Sequence, residues 1–222
     1  MSNTDSFIEE VTEEVRRDRL FALLRRWGWV AVLLVLLIVG GAGWNEWRKA
    51  QAEAGAQALG DALYSALDEN EAEARAQALS AIDTTGSAGA VAALLLAAEQ
   101  EAAGDVPAAI ATLEGVVTDG EVPQDYRDLA ALKSLMLSAG TMDEATRRAA
   151  LENLALPGQT FRLVAMEQVA LSHVRAGETE AALDQLAAIL EDAETGDALR
   201  DRAQSLTIAL GGEIDAQDGA GN

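Results

Sequence analysis

The chain contains no cysteine, one histidine, three prolines and only 4% aromatic residues in 222. Without cysteine there is no disulfide framework, no thiol nucleophile and no Cys-bound zinc, although this says nothing about compartment. One histidine without cysteine leaves zinc only an unusual all-carboxylate set, because zinc takes three or four protein ligands. Aromatic and β-branched residues, which fill sheets, are scarce. Basic residues are also few: 16 Lys and Arg stand against 37 Asp and Glu, a net charge of −21. Phosphate contact needs clustered Lys and Arg, so binding to nucleic acid is excluded as a role.

What the chain has in excess is alanine, 46 residues of it. Alanine loses no side-chain entropy in a helix, so an all-α fold is expected. The charge is uneven. Residues 1–49 hold seven basic and seven acidic side chains, whereas residues 50–222 hold nine and thirty, and so carry the whole −21. Two different bodies meet near residue 45.

Eighteen consecutive residues from Trp27 to Trp44 carry no charge. As a helix they span about 27 Å, close to the roughly 30 Å hydrocarbon core of a bilayer. Trp27 and Trp29 lie at one end, Trp44 and Trp47 at the other, at the depths where an indole prefers the membrane interface. A transmembrane helix over 27–47 is expected. Arg16, Arg17, Arg19, Arg25 and Arg26 precede it, and this bias places the N-terminus in the cytoplasm and the acidic body across the membrane. A leader with six carboxylates argues for an uncleaved anchor over a signal peptide. In residues 1–26, Phe7, Ile8, Val11, Val15 and Leu20 recur at helical spacing, as in a cytoplasmic amphipathic segment.

Residues 48–87 read as an Ala-rich helical stalk and a first helical hairpin. Beyond them, three units align on a glycine between two helices: Gly104, Gly140 and Gly177, 36 and 37 residues apart. Glycine supplies the left-handed conformation that ends the first helix of each unit. Ala109, Ala145 and Ala182 follow at the fifth position, where a small side chain lets paired helices approach. The pattern resembles the tetratricopeptide repeat, best in the first and third units. In the second, Lys133 stands where a small residue is expected and Ala149 where a larger apolar one is. The repeat domain is expected over 88–210, with Asp197 to Leu210 as a capping helix and 211–222 as a disordered acidic tail.

The run Phe7-Ile8-Glu9-Glu10-Val11, then Arg16-Arg17-Asp18-Arg19-Leu20, Trp27-Gly28, one span, an Ala-rich stalk and degenerate repeats resemble a known family. It is the bacterial ancillary subunit of the Sec translocon. The segments Phe161 to Glu167 and Leu199 to Ala203 are similar to the distal half of that family's domain. The resemblance implies a single-pass inner-membrane protein with a periplasmic repeat domain. It also implies translocon subunits, periplasmic chaperones or nascent chains as protein partners.

No catalytic constellation is legible and no cofactor is implied. His173 lies on an otherwise apolar helix and reads as a core histidine with a partner. Binding is the stronger class. The concave face of stacked helix pairs commonly holds a peptide or a partner helix. Counting back from the glycines, the groove candidates are Val91, Leu94 and Glu101 in the first unit, and Val164, Glu167, Leu171 and Arg175 in the third. Glu167 and Arg175 stand out, since charge is costly in a dry interface unless paired. The alternative role is an accessory subunit of another inner-membrane complex, respiratory or of the cell envelope.

Overall fold

The computed structural model describes the backbone of residues 3–213, and side chains throughout that range except at 3–24, 26–28, 31, 32 and 35. Every regular element described is an α-helix. The chain divides into two compact units, residues 1–60 and 61–222.

The first unit belongs to α1 (Asn3–Leu67), which runs on through the first residues of the second. Gly55 and Gly60 do not break it. Leu36, Leu37, Ile38 and Val39 cover one full turn and are each 62–68% exposed, and Trp29, Leu33 and Leu34 are 48–66% exposed. Among the described residues of the unit, nothing covers them. Trp44 and Trp47, a turn apart on one face, have ring centroids 5.2 Å apart.

Among the described residues, no helix is long and apolar enough to cross a membrane. The expected span over 27–47 is therefore not found within them. Residues 27, 28, 31, 32 and 35 of that expected span, Trp27 among them, lie outside the described side chains. The expected amphipathic face of 1–26 and four of the five flanking arginines, Arg16, Arg17, Arg19 and Arg26, also lie outside. Arg25 is exposed.

The second unit is a stack of short helices: α2 (Ala72–Ser80), α3 (Gly86–Ala102), α4 (Val106–Thr118), α5 (Gln124–Leu137), α6 (Glu144–Leu154), α7 (Arg162–Ala176), α8 (Thr179–Glu191) and α9 (Asp197–Ala209). From α2 onward each packs on the next, and α3 also touches α5. Helix pairs α3–α4, α5–α6 and α7–α8 are the three units, and α9 closes the stack. The core lies in three clusters. Ala90, Ala97, Ala109, Leu113 and Ala130 join α3, α4 and α5. Leu132, Leu135, Leu151, Ala165 and Val169 join α5, α6 and α7. Ala170, Leu186, Ile189, Leu199 and Ala203 join α7, α8 and α9. Each leading helix after the first therefore serves two clusters, so stability passes from neighbour to neighbour.

The turns follow from their residues. Gly104, Gly140 and Gly177 take φ of +83°, +89° and +73°, the left-handed region that costs side-chain-bearing residues roughly 1–2 kcal/mol. Asp105 caps α4 by accepting from the Ala108 N–H at 3.1 Å. Asp143 caps α6 by accepting from the Thr146 N–H at 2.9 Å and its hydroxyl at 2.8 Å. After α9, Gly211 (φ +81°) and Gly212 close a Schellman turn, with the Gly212 N–H donating to the Thr207 carbonyl at 2.9 Å. The tail expected over 211–222 thus begins with two residues in a defined turn, and 214–222 lie outside the described residues.

The middle unit departs from the glycine alignment. Ala109 and Ala182 are each the fourth residue of their helix and fully buried. The fourth residue of α6 is Arg147, also fully buried, whereas Ala145 is exposed. The eighth residues, Leu113, Leu151 and Leu186, are 0–1% exposed in all three. Because α6 starts two residues later after its glycine than α4 and α8 do, Thr141 and Met142 act as an insertion. The small-residue position of the second helix is therefore at Arg147, not Ala145, its larger apolar position at Leu151, not Ala149, and the small-residue position of the leading helix at Leu135, not Lys133. A leucine and an arginine replace the alanine pairs Ala97/Ala109 and Ala170/Ala182. Bulk at both positions explains why α5 and α6 touch over less of their length than α3 and α4, or α7 and α8.

Candidate protein-docking cleft

The stack holds an open cleft of about 310 Å³ between the leading helices α3 and α5, floored by Leu113 of α4. Ala97, Ala98 and Glu101 form the α3 wall, and Lys133, Met136 and Leu137 the α5 wall. The small alanines leave the space open, and Met136, 43% exposed, gives it an adaptable apolar lip. Glu101 is exposed, and among the described residues neither it nor Lys133 carries an ion pair.

The other groove candidates sit differently. Leu94 packs against the first core cluster and Val164 against the second. Val91 and Leu171 are half-buried. Glu167 is engaged within the chain: Arg202 of α9 donates to its two oxygens at 2.7 and 2.8 Å. This fork fastens α7 to the capping helix, so Glu167 is a stack tie. Arg175 is exposed at the end of α7. The candidates thus do not form one surface; Glu101 alone among them lines the cleft.

A polar chain that sequence reasoning missed joins the middle and third units. The Arg147 guanidinium donates to Glu144 at 2.6 and 3.1 Å and to the Leu135 carbonyl at 3.3 Å. Ser172 of α7, also buried, donates to Glu144 at 2.5 Å and accepts from Arg148 at 2.9 Å. Arg148 reaches Glu178 at 2.8 Å, which in turn meets His173 Nδ1 at 2.6 Å. The Arg147 hydrogen bond holds the Glu144 carboxyl down at about 2, further aided by Ser172 and by the charges of Arg147 and Arg175, against partial burial. Glu178 is lowered chiefly by its bond to His173, then by Arg148. His173 is a histidine with a partner. Its side chain is 17% exposed.

The arrangement is a helical-repeat scaffold with an apolar cleft between successive leading helices. A family model described as tetratricopeptide repeat-like domain matches residues 24–156. The chain belongs to that family. Tetratricopeptide repeat-like domains are typically non-catalytic modules of protein–protein interaction. The match ends just past α6, and α7–α8 extend the same pattern beyond it, with Ala182 and Leu186 in the places of Ala109 and Leu113. No curated protein and no solved structure matches the chain.

Proposed function

We propose that the protein is a non-enzymatic adaptor: a tetratricopeptide repeat-like body that docks other polypeptides, tethered to a membrane by α1. One observation carries the reading. The same chain pairs a protein-interaction module with a helix segment, Trp29 to Val39, whose described side chains are apolar and, apart from half-buried Val30, exposed. Burying a side chain of this size contributes roughly 1.5–3 kcal/mol, so such a segment does not stay in water. A bilayer covers all sides of it at once; a single protein partner covers one.

The tryptophans at 27, 29, 44 and 47 and the arginines before the run support a single-pass anchor with the N-terminus in the cytoplasm. In a bacterium with two membranes the acidic body then lies in the periplasm. The resemblance to the ancillary subunit of the Sec translocon supports translocon subunits, periplasmic chaperones or emerging polypeptides as partners. The body's excess of carboxylates keeps it off anionic headgroups.

A pull-down of the full chain from detergent-solubilised membranes, read by mass spectrometry, tests this. Co-recovery of translocon subunits or periplasmic chaperones is the expected result. A stoichiometric complex without them assigns the chain to another inner-membrane assembly. Recovery of the chain from the soluble fraction alone contradicts the tether.

A further inference from the structure

We propose that the cleft between α3 and α5 takes a polypeptide segment in which a bulky apolar side chain lies next to a lysine or arginine. This rests on the reading of the cleft as a docking site and adds the chemistry of the occupant.

Two observations converge. The slot itself is apolar: Ala97, Ala98, Leu113, Met136 and Leu137 line it, and its volume admits one large side chain. Most of its wall lies toward the C-terminal ends of both leading helices, since α3 ends at Ala102 and α5 at Leu137. Neither helix has a basic residue in its last turn. Most of the terminal carbonyls there already have partners: those of Glu99, Gln100 and Glu101 accept from the N–H groups of Ala103, Asp105 and Gly104, and that of Leu135 from Arg147. The negative charge at this end is the Glu101 carboxylate. A cation next to the buried apolar group meets it.

The rest of the repeat body reinforces this. Most of its arginines are spent inside the fold. Arg75 pairs with Glu99, Arg147 with Glu144, Arg148 with Glu178, Arg162 with Asp192 and Glu194, and Arg202 with Glu167. Arg200 donates to the carbonyls of Leu190 and Thr195. The solvent-facing charge left over is overwhelmingly acidic, which steers cationic segments toward the body and repels acidic ones. Lys133, four residues before the end of α5, lies further from the helix ends. It gives the cleft a polarity, with the segment's cation directed to the Glu101 end.

The test uses the full chain in detergent, with a photo-crosslinking residue at Met136, and three labelled peptides of about ten residues, enough to fill one groove. One carries tryptophan flanked by lysines; in the second glutamates replace the lysines; in the third alanine replaces the tryptophan. The expected result is crosslinking at position 136 by the first alone, weakening as salt rises. Glu101→Lys should lower its affinity about tenfold or more, as placing a like charge where the segment's cation docks does. Asp201→Lys, the same charge change on exposed α9, should lower it far less. Equal crosslinking by the glutamate peptide, or equal effects of the two lysine variants, overturns the proposed chemistry while leaving the cleft a docking site. No crosslinking by any peptide overturns both.

Discussion

The Arg147 guanidinium donates to the carbonyl oxygen of Leu135, 3.3 Å away, at the point where the flanking repeats have only alanines. In those repeats the matching positions are held by Ala97 and Ala109, and by Ala170 and Ala182, all buried. An arginine with no solvent exposure in that position is stable only because Glu144 neutralises it and the carbonyl takes a further N–H. Removing one partner of a buried pair leaves an uncompensated charge, which costs far more than replacing the pair with apolar bulk. Glu144→Ala should therefore destabilise the repeat body by about 3 kcal/mol, the bottom of the usual range because Glu144 keeps some solvent. Arg147→Met, which leaves no buried charge and frees Glu144 into water, should cost within about 1 kcal/mol. Denaturant titration of the two variants checks this asymmetry.

The same pair sets an acid dependence. The Glu144 carboxyl is held at about 2, below its ordinary value of 4.5. Its stabilising contribution is full above the unfolded value and is lost as pH falls from about 4.5 through about 2. Asp192, lowered by Arg162 and the Glu194 N–H, and Glu178 act in the same direction. Circular dichroism along an acid titration should show stability declining across that window. In Arg147→Met the decline should be shallower.

Two classes of glycine should respond oppositely to alanine. A Cβ on Gly212 would lie 2.7 Å from Leu183 Cδ2 and 2.8 Å from Thr207 Cγ2, and one on Gly89 would lie 2.8 Å from the Thr84 carbonyl oxygen. Gly212→Ala and Gly89→Ala should each lose roughly 1–3 kcal/mol, as overpacking does. Gly55 meets nothing within 4 Å and sits inside α1. Gly55→Ala should raise local helix stability by roughly 0.5–1 kcal/mol. Amide exchange around each site reads the three effects.

Glu167 and Arg202 form a fork across the α7–α9 boundary, with Arg202 half exposed and Glu167 only 12% exposed. A double-mutant cycle between Glu167→Gln and Arg202→Gln should return a coupling of about 1 kcal/mol or less, shrinking in salt. A loss of peptide binding equal to that of the cleft variants would instead make Glu167 part of the docking surface.

The sequence discloses the outer repeats because their requirements are local. A left-handed turn demands Gly104 and Gly177, and the close approach that follows demands Ala109 and Ala182. The middle repeat is misread for a physical reason. Gly140 satisfies the turn, but the turn does not fix where the next helix begins. The Asp143 cap starts α6 two residues late, and the contact positions shift with it to Arg147 and Leu151. The capping residue was the signal that locates them. The ties across units are harder to see. Arg148 to Glu178 and Arg162 to Asp192 span 30 residues, and Glu167 to Arg202 spans 35, close to one repeat. Charge alone names no partner at that range, so Glu167 looks free in the sequence and is bound in the fold. The cleft is legible only in part: Glu101 marks it, whereas Met136 and Leu113 become its lip and floor only once α3, α4 and α5 are assembled.

The most direct measurement is photo-crosslinking in intact cells from position 136 in the cleft and, as a control, from position 208, where Ile208 is exposed on the capping helix. A docking adaptor predicts defined crosslinked polypeptides from position 136, recovered with the membrane fraction and lost in Glu101→Lys, and none of these from position 208. The same products from both positions, or none from 136 in membranes that contain the chain, would contradict it.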